Sequence, residues 1–195
     1  MNYEVKVLSL KRRIDRREYI TNLIGKIYPF TFFDAIDGSE MNINYDIFKN
    51  SDYHLWNVNP NSVKAVALSN MEIWKESINE NKNICIFEDD IDLIDNNQLN
   101  LEELFKKDFD IHFLNNITQW FPNCYCYLIK PEGAKKLLNH FNVYGFIRSI
   151  DWEITFLKPP FKILYTEENN FGKTTHPIVS KSDITLDGNP YKKIE

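Results

Sequence analysis

The chain has 195 residues, of which 43% are hydrophobic and 14% aromatic, a composition that excludes a disordered chain. At that length one domain is expected, large enough to bury roughly 70% of its unfolded surface. The formal net charge of −5 leaves no basic footprint for nucleic acid, so a phosphate-bearing ligand would need local arginines, lysines or a metal. No apolar run approaches the ~20 residues of a membrane span. Met1-Asn2-Tyr3-Glu4-Val5 shows no signal-peptide pattern either. Cys85, Cys124 and Cys126 lie inside apolar runs, so reduced core thiols and a cytoplasmic setting are expected. The single residue between Cys124 and Cys126 is tighter than usual metal spacings.

In chain order, residues 4–10 alternate and then turn apolar, which predicts a first strand. Lys11, Arg12, Arg13, Arg16 and Arg17 follow, interrupted by Asp15. Ser9 or Asp15 is expected to cap a helix running to about Ile27, ended by Gly25 or by Tyr28-Pro29. A basic cluster on a strand-to-helix turn suits a phosphate, because guanidinium forks and N-terminal amides add up; the plain alternative is a solvated helix face. Residues 30–38 predict a second strand with Phe32 and Phe33 in the core and Gly38 at positive φ. The polar stretch 39–61 carries Tyr45, Phe48, Tyr53 and Trp56, which would shape an acceptor pocket or pack onto the core. Residues 63–78 read as a helix with Val66, Met71, Ile73, Trp74 and Ile78 inward.

The central stretch is Ile84-Cys85-Ile86-Phe87, a buried strand that runs into Glu88, Asp89, Asp90 and Asp92. No core tolerates those acids unpaired, so the chain must leave the sheet there and meet water, a cation or both. Carboxyl ends of strands are where open α/β sheets bind ligands, and hard carboxylate oxygens suit Mg²⁺ or Mn²⁺ holding a substrate phosphate. A solvated acidic turn is the alternative. Beyond it the pattern predicts a helix over 99–107, strands over 109–114 and 124–129, a helix over 134–141 and a late strand over 161–165. The tail from Glu167 is polar and rich in turn formers. Strands alternating with helices predict one α/β domain over 1–195 with a mostly parallel central sheet flanked by helices.

Eight stretches, in order, carry a resemblance. Leu8-Ser9-Leu10-Lys11-Arg12 with Asp15-Arg16-Arg17, Phe33-Asp34-Ala35-Ile36-Asp37-Gly38, Ala67-Leu68-Ser69 with Trp74, and Ile86-Phe87-Glu88-Asp89-Asp90-Ile91 are four of them. Phe109-Asp110-Ile111, Ala134 to Leu138, Ile150-Asp151 and Ser182-Asp183-Ile184 complete the set. Together they resemble the family 25 glycosyltransferases, which include bacterial lipopolysaccharide and lipooligosaccharide galactosyl- and glucosyltransferases and, more distantly, collagen galactosyltransferases.

The resemblance implies a GT-A-type fold that binds a nucleotide-sugar. It implies inverting transfer of a galactose or glucose from a UDP-sugar to a glycan or glycoprotein acceptor. It also implies Mn²⁺ (or Mg²⁺) held by Asp90, with Glu88 contributing and His176 completing the shell if it is more than a loop histidine. Leu10, Arg12, Arg16, Ala35, Asp37, Glu88 and Asp89 fall on the donor side. Asp151 is the first candidate for the general base, its alternative being an N-cap ahead of Trp152. Asp37 is either a second candidate base or a turn-stabilising side chain. Departures fall at Val63, Ala65 and Asn70, where the family shows an acid, a glycine and a histidine in a helix start beside the nucleotide-sugar. Lost polar contacts there would favour the rival reading, a non-catalytic nucleotide-sugar or glycan binding module.

Overall fold

The computed structural model describes residues 2–39, 41–49, 59–94, 99–115, 124–166, 171–173, 176 and 183. In chain order the elements are β1 (Tyr3–Leu10), α1 (Ile14–Leu23) with a 3₁₀ turn (Ile24–Lys26), β2 (Thr31–Ala35), α2 (Pro60–Glu80), β3 (Asn83–Glu88) and β4 (Ile91–Leu93). They continue as α3 (Leu101–Phe105), β5 (Ile111–Phe113), β6 (Cys126–Ile129), α4 (Pro131–Tyr144), α5 (Ile150–Thr155), β7 (Ile163–Tyr165) and β8 (Phe171–Lys173).

The central sheet has the strand order β2-β1-β3-β6-β5-β7. β2, β1 and β3 run parallel, as do β5 and β7, while β6 is antiparallel to both neighbours. The expected mostly parallel α/β sheet is therefore present, with one reversed strand. Among the described residues, β6 is the next strand after β5 in the chain and lies directly beside it, reversed.

The side-chain period of two divides the core between the two faces of the sheet. Leu8, Ile84, Ile86, Ile111, Phe113, Tyr127 and Ile129 pack beneath α2, α4 and α5, with Trp74, Phe141 and Ile154. Val5, Val7, Cys85, Phe87, His112, Cys126 and Leu128 occupy the alternate positions; most of them pack against Ile20 of α1 and Phe105 of α3. All three cysteines are buried free thiols, as their apolar context predicts.

α2 forms where Asn59 accepts from Asn61 N at 3.0 Å and Ser62 N at 3.4 Å, with Pro60 pre-set for the first turn. It stops at Asn81, whose φ of 50° is left-handed. Met71, Ile73 and Trp74 point inward as predicted. α4 is longer than its apolar pattern suggests, because Pro131 starts it and Gly145, at φ 73°, ends it.

α1 corrects the capping expectation: its N-cap is Arg13, without a side-chain cap, and Asp15 lies inside the first turn. Phe48 stacks on Phe146 at 5.6 Å and Tyr45 is exposed, whereas Tyr53 and Trp56 lie outside the described residues. The polar tail is not merely turns, since β8 returns to pair antiparallel with β4 and buries Phe171 against Phe87 at 5.1 Å.

Candidate active site

β1 leads through α1 to β2 on one side, and β2 leads through α2 to β3 on the other. Strand order thus reverses around β1, which opens a crevice beyond the carboxyl ends of these strands. A cleft of about 110 Å³ lies there. Its walls are residues 8–10 of β1, residues 35–38 at the end of β2, residues 88–90 at the end of β3, Ser62, Val66 and Ser69 of α2, and Arg16 and Asp183.

Asp89 and Asp90 are each only 5% exposed, yet their surroundings differ. Asp89 accepts from Ser9 Oγ at 2.6 Å and from Arg16 Nη1 at 2.8 Å. Burial pushes its carboxyl up, Arg16 and Ser9 pull it back, and the neighbouring Asp90 charge adds to the rise. Asp90 takes a looser contact, 3.3 Å from Arg16 Nη2. Glu88 is half-buried, and Cys124 Sγ sits 3.9 Å from its Oε1. The Cys124 thiol is pushed well above its ordinary range by burial, then by the charges of Glu88 and Asp151.

The basic turn is a network of pairs. Arg12 Nε reaches Asp37 at 2.5 Å and Arg12 Nη1 reaches Asp183 at 2.8 Å. Arg13 bonds Asp15 at 2.8 Å and pairs with Asp183. Arg17 donates to Ser9 O at 3.0 Å and Asp34 at 2.5 Å while lying over the Phe32 ring. Asp37 also accepts from Ser39 N at 3.1 Å and Ser39 Oγ at 2.6 Å, closing the turn after β2. Burial raises its carboxyl, but Arg12 and Ser39 outweigh that and hold it below the usual carboxylate range. Gly38 does not have the positive φ expected of it; a Cβ there would collide with the Asn61 carbonyl at the start of α2. Ser69 Oγ accepts from Ile36 N at 2.9 Å and fixes the same turn.

Of the residues assigned from sequence, Leu10, Arg16, Ala35, Asp37, Glu88, Asp89 and Asp90 line the cleft, and Arg12 adjoins it through Asp37. Arg16 is spent on Asp89 and Asp90, which makes it the floor of the site more than an outward-facing phosphate ligand. Asp151 is half-buried in the first turn of α5, behind the N-cap Ser149, so it is not itself the cap. His176 is exposed, with its ring 5.4 Å from that of Tyr19, and is not among the cleft residues. Ser9, Arg13, Ser69 and Asp183 went unassigned. Ser9 is a polar residue at a buried β1 position, and Asp183 lies in the last of the eight matched stretches.

The departures in α2 face elsewhere. Val63, Ala65 and Asn70 are buried and absent from the cleft wall. Asn70 Oδ1 accepts from Tyr127 Oη at 2.5 Å, and Tyr127 Oη in turn accepts from Trp74 Nε1 at 2.9 Å. These three departures thus lie inside the core and outside the cleft wall.

A solved structure described as a glycosyltransferase involved in the glycosylation of the major capsid of PBCV-1 has a similar fold. The TM-score is 0.50 at 6% identity, covering 85% of this chain and 82% of that one. That likeness is one of fold. A search of curated proteins finds no match. Residues 2–125 match the model of glycosyltransferase family 25 (LPS biosynthesis protein), and the chain belongs to that family.

Proposed function

We propose that the chain transfers a hexose, galactose or glucose, from a UDP-sugar to a hydroxyl of a glycan or glycoprotein acceptor. In this reading it uses Mn²⁺ or Mg²⁺, inverts the anomeric carbon and works on a GT-A-type domain spanning 1–195. The observation that carries the proposal is the meeting of Glu88, Asp89 and Asp90 with the arginine-rich start of α1 at the strand-order reversal.

The donor set fits a hard divalent ion. Among the described residues, carboxylates of Asp15, Asp37, Asp89, Asp90 and Asp183 pair with three guanidinium groups, Arg12, Arg13 and Arg16, so negative charge is in excess. Oxygen ligands with surplus negative charge select such ions. Asp89 is held by two close bonds and serves as anchor; Asp90, with Glu88, would hold the metal. When bound, the ion supplies charge neutralisation for a leaving diphosphate.

The chain's own groups account for the rest. Arg12 and Arg13 present guanidinium forks at the mouth, and Asp37 orients Arg12. Asp151, in the first turn of α5, would accept the acceptor proton, and an inverting displacement needs such a base opposite the leaving group. Asp37, with its lowered pKa and closed turn, is the weaker base of the two.

Calorimetric titration of UDP with and without Mn²⁺, on the wild type and Asp90→Ala, tests the reading without knowledge of the acceptor. Metal-dependent binding lost in the variant is the expected result, followed by UDP release from UDP-galactose or UDP-glucose. Full turnover by Asp90→Ala would sink the proposal.

A further inference from the structure

We infer that Arg12 and Arg13 form the oxyanion fork for the donor's diphosphate, and that the Asp183 carboxylate occupies this fork as an internal phosphate mimic until the donor displaces it. This rests on the proposed use of a nucleoside-diphosphate donor.

Asp183 lies 170 residues beyond Arg13, yet its carboxylate meets the first turn of α1. Its Oδ1 is 2.8 Å from Arg12 Nη1, while its Oδ2 pairs with Arg13 Nη1 and lies 3.8 Å from Arg16 Nη2. The side chain is 17% exposed and lines the cleft beside residues 88–90. Guanidinium forks accept carboxylate and phosphate oxygens in the same planar geometry, so a carboxylate held by two arginines marks a place where a phosphate fits.

The arginines do not depend on Asp183 for their position. Arg12 keeps Asp37, Arg13 keeps Asp15, and Arg16 keeps Asp89 and Asp90. Withdrawing Asp183 therefore leaves a preformed cationic fork. Asp183 is one wall of the cleft, whose volume is about 110 Å³. A diphosphate and this carboxylate compete for the same guanidinium donors. The diphosphate carries more negative charge than one aspartate, so it wins the fork by exchange of like for like. Binding then carries the fraction of molecules with Asp183 withdrawn as a penalty on apparent affinity.

The sign of one substitution separates this from a plain structural or metal-ligand role. Asp183→Asn should tighten UDP and inorganic pyrophosphate, on the order of tenfold, and leave uridine unchanged. Asp183→Glu should stay near the wild type, and Arg13→Gln should weaken pyrophosphate. UDP binding to the wild type with equal or weaker binding to Asp183→Asn overturns the inference while the donor reading stands. Absence of UDP binding in every variant overturns both. A second measurement needs no variant: hydrogen exchange around residue 183 should rise when UDP binds the wild type. Protection on binding would also overturn the mimic.

Discussion

Adjacent carboxylates divide the work at the end of β3. Asp89 is locked by Ser9 and Arg16, whereas Asp90 keeps a looser contact. Removing one partner of a buried ion pair costs about 3–5 kcal/mol, because the remaining charge stays buried without its closest partner. Asp89→Ala is therefore expected to lose stability on that scale, read as a lower urea midpoint at unchanged slope. Asp90→Ala leaves the Arg16–Asp89 pair intact, so it should keep most of its stability and lose metal-dependent UDP binding. Equal loss of stability in both variants would refute the division. The acidic run itself was legible, because four acids after an apolar strand cannot stay in a core. Which acid is held most closely was not legible, since that depends on Ser9 and Arg16, 80 and 73 residues away from Asp89.

At the scale of elements, α2 carries both a wall of the cleft and part of the core, on different faces. Ser62, Val66 and Ser69 line the cleft, while Asn70 and Trp74 meet Tyr127. Tyr127→Phe removes the hydroxyl that satisfies Trp74 Nε1 and Asn70 Oδ1, both buried. It should cost about 1–3 kcal/mol and leave UDP affinity unchanged. Denaturation and titration on the same sample check both halves; a lost UDP affinity would put this network in the site after all. Gly38→Ala forces the turn after β2 off Asn61 and Ser62, so it should cost about 1–3 kcal/mol and weaken UDP binding as Asp37 and Ile36 shift. A stable variant with wild-type UDP affinity would show that the turn gives way freely. Helix periodicity exposed the inward stripe of α2. It did not expose the facing of positions 63, 65 and 70, because a family pattern records residue type and not direction.

For the whole molecule, the alternating apolar strands announced an α/β sheet with a core on each face, but two long-range features stayed hidden. β6 is reversed, and β8 returns to β4 through pairings that local pattern does not encode. The same two-sided burial places His112 on β5 between β6 and β7, 1% exposed, beside Phe109 at 5.3 Å and with Thr166 Oγ1 3.3 Å from Nε2. Burial, and then the Lys107 charge, pull its pKa down to about 4 from 6.5. Between those values the unfolded chain binds a proton that the folded chain refuses. Stability must therefore be full above pH ~6.5 and fall as pH drops toward 4, by up to about 3 kcal/mol from this group. His140, also lowered by burial, adds in the same direction. Carboxylates lowered by cationic partners, such as Asp15 and Asp34, lose their contribution only at lower pH, and Asp89 has the opposite sign. Urea denaturation of the wild type and His112→Gln at pH 7, 5.5 and 4.5 isolates the histidine. The wild type should weaken steadily across that window and the variant should show a shallower slope. Parallel slopes would mean that His112 takes up its proton in the fold.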